Sequence, residues 1–378
     1  MPGTAFPHPP RPVPVHVYVH IPFCHRICPY CSFYKHTPGD TDLGAFLDAL
    51  VAEARARGAG RPAVTTLYLG GGTPSMLSPT HLRRLFEGLR AALEVSADAE
   101  VTLEANPATF TARTAAVFRD LGVTRVSLGA QSFHPAHLAT LGREHGPHDI
   151  VESVQLLRSA GLPSINIDLI FSIPGQSLRD WEESLDAALA LGPDHLSAYN
   201  LTYEEDTAFF ESFRSGRFRD DPDLDAAMFT TAEERLAGRG FEHYETSNYA
   251  RPGHRSRHNR AYWTGADYLG LGPSAVSTLE GERTRNIPDT ARYIDMISKL
   301  GHAAGEAERI GPEEFRLERL ALLLRTAEGV PTRYLAGLDP ARIAQLVEDG
   351  LAETGDDRLR LTGRGPLLVD SVVDHLVG

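Results

Sequence analysis

The chain has 378 residues, 42% hydrophobic and 23% charged, with 37 Lys and Arg against 50 Asp and Glu and a formal net charge of −13. That length allows two or three domains with a substantial core, and the ordinary apolar share excludes a low-complexity chain. The sequence has no run of about 18 apolar residues, which excludes a membrane-spanning helix, and the acidic balance argues against nucleic acid as the main partner.

Residues 1–14 hold six prolines and no apolar signal core, and read as an extended, poorly ordered tail rather than a targeting peptide. From residue 15 the chain alternates strand and helix patterns. Val15, Val17, Val19 and Ile21 share one face of a strand, and His16, Tyr18 and His20 share the other. Further β-like runs fall at 64–69, 100–105, 124–130, 164–171 and 195–201. Between them, Ser78-Pro79 reads as N-cap and first helical residue of HLRRLFEGLRAAL, and ARTAAVFRDLG ends at Gly122 as a C-terminal cap. DIVESVQLLRSAG and LRDWEESLDAALALG are two more helices.

Six strands linked by helices imply a parallel sheet, wound open or curled into a barrel. The unusual residues decide between the two. A cysteine loop follows the first strand and Gly70-Gly71-Gly72-Thr73-Pro74 the second. Glu104 closes the third, Gln131 follows the fourth, Asp168 lies late in the fifth and Tyr199 late in the sixth. A doubly wound sheet concentrates function at one switch point, whereas a barrel gathers every strand end at one mouth. The expected fold is therefore α/β: an incomplete (β/α)6 barrel over 15–235, with a barrel-associated segment over 236–300. Beyond 300, the order helix, helix, β-wing, helix predicts a winged-helix-like module over 301–378. Its second helix does not concentrate basic residues, so the expectation is a lid or docking domain over the barrel mouth.

Cys24, Cys28 and Cys31 are the chain's three thiols, within eight positions at C-x3-C-x2-C spacing. Such clustering points to a metal site. A zinc ion completed by His20, His25 or His36 is one reading, and a disulfide with a spare thiol is disfavoured in a reducing compartment. Three thiolates on one loop better suit a cubane iron–sulfur cluster with its fourth iron open. With Tyr30 before the last cysteine, the loop resembles the radical SAM signature, which implies a [4Fe–4S] cluster and S-adenosylmethionine (SAM). On that reading, the glycine run brings main-chain carbonyls close to an ammonium. Glu104 and Asp168 take ribose hydroxyls beside a sulfonium, and Arg143 clamps a carboxylate. Tyr30 and Phe33 wall the cluster or stack on adenine. Taken singly, each has an ordinary reading as a turn, a paired carboxylate, a solvated arginine or loop packing.

The run YVHIPFC, then GGGTP, LEANP, SLGAQSF, GRE and NIDLI, spread in order over about residues 15–300, resembles the family of oxygen-independent coproporphyrinogen III oxidases and HemW-type heme chaperones. The resemblance implies SAM contacts at Tyr18, Tyr30, Gly71, Gly72, Thr73, Glu104, Gln131, Arg143 and Asp168. Two features separate the branches. Phe33 stands where the oxidases carry a fourth cysteine, and His258-Asn259-Arg260-Ala261-Tyr262-Trp263 matches the H-N-x-x-Y-W motif of the HemW type. That motif implies heme binding by His258, Asn259, Tyr262 and Trp263, with the imidazole as axial ligand and the rings against the porphyrin. By itself, a histidine beside aromatic residues is more often a hydrogen-bonded packing residue. The resemblance thus implies a cytoplasmic radical SAM protein that binds heme and delivers it to apoproteins, with an electron donor for its cluster and no nucleic-acid partner. The alternative is oxidative decarboxylation of coproporphyrinogen III. RNA modification is disfavoured by acidity and by the lack of an added RNA-binding module.

Overall fold

A computed structural model describes residues 15–378; the expected proline-rich tail, 1–14, lies outside the described residues. β1 (Val15–Ile21), β2 (Val64–Gly71), β3 (Val95–Ala105), β4 (Arg125–Gln131), β5 (Ser164–Phe171) and β6 (His195–Asn200) pair in that order, all parallel. Their two-residue period sorts the side chains. Val17, Val19, Ile21, Leu69, Leu103, Leu128, Ile165 and Ile167 are buried in one core with Phe46, Leu50, Leu85, Phe86, Phe118, Leu157 and Trp181 of the crossover helices. The opposite face carries His16, Thr66, Thr102, Ser127, Asn166 and Ser197, a polar lining for the barrel interior.

The helix signals operate as local chemistry predicts. Ser78 Oγ accepts from the His81 amide at 3.2 Å, and Pro79 opens the helix Pro79–Ala92. Gly122, at φ 72°, ends the turn after the helix Ala112–Asp120.

Both edges of the sheet are extended by strands the sequence pattern does not announce. At one edge β7 (Glu242–Glu245) pairs with β8 (Asn248–Ala250), which runs antiparallel to β6. At the other, β9 (Tyr268–Leu271) lies parallel to β1, followed by β10 (Val276–Leu279), β11 (Glu282–Asn286) and β12 (Ala304–Arg309) in antiparallel pairing. The segment 236–300 thus adds strands on both sides of the barrel, and the large sheet continues to β12, ending at Arg309, beyond residue 300.

The remaining chain builds a second core of Leu320, Leu324, Val330, Leu346, Leu359, Val372 and Leu376. Its frame is the helix Pro312–Leu324, β13 (Val330–Pro331), the helix Pro340–Glu348, the hairpin of β14 (Ala352–Gly355) and β15 (Arg358–Leu361), and the helix Val369–Val377. Asp356 and Asp357, both at positive φ, make the tight hairpin turn. The expected position of this module over the barrel mouth is not what the structure shows. It docks at the opposite end, where the barrel strands begin. Glu328 takes Arg255 and Arg260 at 3.1 Å each, Ala327 N donates to Tyr244 O at 3.1 Å, and Arg319 Nη1 donates to Thr264 O at 2.9 Å.

Candidate functional site: a cysteine-rimmed barrel mouth

The mouth encloses a cavity of about 740 Å³. Cys24, Cys28 and Cys31 line it, each half-buried and free of disulfide. So do Tyr30, Gly71, Gly72, Thr73, Glu104, Gln131, Arg143 and Asp168, which are all but one of the residues expected to contact SAM. Tyr18 is the exception; it stands behind the wall, its hydroxyl 2.9 Å from Nδ1 of His20.

The cysteine loop is seated on the glycine run through the backbone. Gly72 N donates to Ile21 O and Thr73 N to Phe23 O, each at 2.8 Å. A side chain at Gly72 would put its Cβ 2.6 Å from Phe23 O, so glycine is required for this seating. The close approach expected of the glycines is thus made first to the loop itself. Gly71, at φ 103°, turns its amide onto Glu104 Oε2 at 3.0 Å, while Tyr68 OH donates to Oε1 at 2.7 Å. Burial raises the Glu104 carboxyl to about 7. Gln131, at φ 67°, sits where the β4–β5 register shifts, a strained backbone that aims its side chain into the cavity wall.

Asn106 was not anticipated as a site residue, although it lies in the motif LEANP. Its Nδ2 donates to Thr73 Oγ1 at 2.8 Å, and its Oδ1 accepts from Arg143 Nη2. Thr73 Oγ1 in turn lies 3.6 Å from Cys24 Sγ, and Arg143 Nη1 lies 3.6 Å from Cys28 Sγ. Arg143 also donates to Gly129 O at 2.9 Å, which fixes its fork between the thiols and the strand ends. On the far wall Asp168 accepts from Ser127 Oγ at 2.9 Å and Asn166 Nδ2 at 2.7 Å. Behind it, His195 Nδ1 lies 2.7 Å from Asn166 Oδ1, so the carboxylate is held by a connected polar network.

These residues fit an iron–sulfur cluster. The three thiols face one space, and Arg143 beside Cys28 and Lys35 on the same loop offer positive charge to a thiolate-bound centre. Of the histidines that could complete a zinc site, His20 is tied at Nε2 to Tyr34 O and His36 at Nε2 to Thr290, both at 2.7 Å. His25 alone of the three is untethered to other described residues.

The four residues expected to hold heme are placed differently. The helix Arg257–Trp263 lies at the barrel floor, where Glu100 Oε2 and Oε1 accept from the amides of Arg257 (3.0 Å) and His258 (2.9 Å). Asn259 reaches the cavity from below. His258 is 1% exposed, with Nδ1 2.7 Å from Thr66 Oγ1 and Nε2 3.1 Å from Tyr262 OH. Its ring stacks on Tyr68 with centroids 4.9 Å apart. Trp263 packs under Arg325, which caps the helix Pro312–Leu324. Both ring nitrogens of His258 are engaged, so in this conformation the imidazole offers no unpaired nitrogen to heme iron, while Tyr262 and Trp263 are each partly exposed. The motif is a structural bracket between barrel and C-terminal module.

The Radical SAM superfamily model matches residues 18–188. The heme chaperone HemW of Mycobacterium tuberculosis is 38% identical over 384 residues, covering 100% of this chain and 98% of that protein. The chain belongs to the HemW family. HemW of Escherichia coli is 40% identical, covering 96% of this chain and 97% of its own length. The solved structure of coproporphyrinogen III oxidase (HemN) from Escherichia coli, a radical SAM enzyme, is 26% identical, with a TM-score of 0.82 over 96% of this chain and 90% of that one. That likeness extends the partial-barrel fold through the C-terminal module. Membership of the superfamily implies a [4Fe–4S] cluster and SAM, and it decides between the metal readings left open by the cysteine spacing.

Proposed function

We propose that this HemW-family chain holds a [4Fe–4S] cluster and SAM at the barrel mouth, takes up heme and passes it to apoproteins in the cytoplasm. The observation that carries the reading is the convergence of three thiols, Arg143, Glu104 and Asp168 on one cavity, in a chain that matches heme chaperones along its whole length. Cys24, Cys28 and Cys31 would hold the cluster. When bound, that group supplies one-electron chemistry and an open iron for the amino and carboxylate groups of SAM.

The chain's own residues then have separate tasks. Arg143, fixed by Asn106 and Gly129, offers a planar fork to the SAM carboxylate and offsets thiolate charge. Glu104 and Asp168, both desolvated and hydrogen-bonded, present their remaining lone pairs to ribose hydroxyls. Tyr30, backed by Phe209 with ring centroids 6.0 Å apart, shields the loop from water. An electron-donor protein and heme-receiving apoproteins are the implied partners.

The test is anaerobic. Reconstituted protein is loaded with heme, mixed with a heme-free acceptor apoprotein, and followed by the acceptor's absorbance; the same preparation is incubated with coproporphyrinogen III and SAM. Heme transfer without decarboxylation is the expected result. Sustained formation of protoporphyrinogen would move the chain to the oxidase branch, a reading for which HemN supplies the fold precedent.

A further inference from the structure

We propose that heme binds across the outer face of the cysteine loop, with His25 as axial ligand. The proposal rests on the heme-carrier reading and names the place where that cargo sits. The loop presents what a porphyrin needs and what the helix at the barrel floor lacks. His25 is exposed, lines the cavity mouth, and makes no hydrogen bond, ion pair or ring contact with any other described residue. An imidazole nitrogen in that state is available to heme iron without breaking anything. His258, by contrast, would have to surrender Thr66 or Tyr262 first.

The same loop exposes two large apolar side chains, Phe33 at 66% and Ile27 at 43%, and Tyr199, 40% exposed, stands on the opposite wall. Phe33 and Tyr199 both line the cavity, and exposed aromatic groups at such a rim mark a binding surface. Arg26, exposed at the same cavity mouth, offers a cation to an acidic, flat ligand. The macrocycle would cover Phe33 and Ile27, a propionate would meet Arg26, and its edge would close the mouth above SAM. Heme and SAM exchange should therefore be linked at this end of the barrel.

The experiment is hemin titration of the full-length, anaerobically reconstituted chain, comparing wild type, His25→Ala and His258→Gln, with iron and sulfide assayed in each. Wild type and His258→Gln should show the same ligated Soret band. His25→Ala should lose that band and bind hemin about tenfold or more weakly while keeping its cluster. Release of labelled SAM should slow several-fold when hemin is bound to wild type, and should not change in His25→Ala. Identical hemin spectra and affinity in wild type and His25→Ala would overturn the site. A wild type that binds no hemin at all would overturn the carrier reading itself, which keeps the two failures apart.

Discussion

Tyr262 lies one helical turn after His258, and its hydroxyl stands 3.1 Å from Nε2 of that imidazole. With Thr66 on Nδ1 and Tyr68 stacked on the ring, His258 is enclosed between its own helix and β2, about 190 residues earlier in the chain. Replacing it with alanine should leave a cavity and unpaired hydroxyls, at a cost of about 2–4 kcal/mol. The expected readout is a lowered urea midpoint with unchanged iron content, partly restored in His258→Gln. A midpoint equal to wild type would show that the bracket carries no load.

The three thiols share one cavity wall, so their loss should be equivalent. Anaerobic reconstitution should give about four irons per chain, the content of one [4Fe–4S] centre, and Cys24→Ala, Cys28→Ala or Cys31→Ala should each remove the iron–sulfur absorbance. Stoichiometric zinc in place of iron would instead favour a site completed by His25.

Arg143 is held by Asn106 and Gly129 and points its other nitrogen at Cys28. Arg143→Lys keeps the charge and loses the fork. SAM affinity, measured by equilibrium dialysis on the reconstituted protein, should fall by about 10- to 100-fold, the scale of a lost hydrogen bond to a charged group, about 1.5–3 kcal/mol. Retained affinity would remove Arg143 from the SAM contacts.

Buried histidines set an acid limit on stability. Burial lowers His20 and His145 to about 4 and His258 to about 3, from 6.5. Unfolded imidazoles take up protons as the pH falls below 6.5 while these folded ones do not, so their contribution is whole above 6.5 and is lost through the window down to about 4. Glu104 and Glu245, raised to about 7 by burial, act in the opposite sense: their contribution is present below 4.5 and lost as the pH rises to 7. The variant His145→Gln isolates one group. Between pH 4 and 6.5 its unfolding free energy should vary with pH less steeply than wild type, by about 1.4 kcal/mol per pH unit. Parallel curves would show that His145 titrates normally in the fold.

The barrel strands were legible because burial on one face and function at one end leave a pattern. SINIDLIF reads directly as β5, since seven of its eight residues are buried. β12 left no such trace: all six of its residues are exposed, and only pairing with β11 makes them a strand. The mouth was legible for a similar reason. Its residues fall at consecutive strand ends, so order along the chain becomes proximity in space. Asn106 was hidden because an asparagine before proline also reads as a plain turn. The direction of His258 could not be read at all. Its partners, Thr66 and Glu100, lie more than 150 residues earlier, and no local periodicity encodes which way such a ring faces.

β1 runs from Val15 toward the cysteine loop, and the C-terminal module docks through Glu328 on Arg255 and Arg260 at the opposite end, on the side away from the mouth. A purification handle, a fluorescent reporter or a surface anchor fused at Gly378 would leave the cysteine loop facing free solution. The protein can therefore be immobilised by its tail while its reactive end remains open to any visitor.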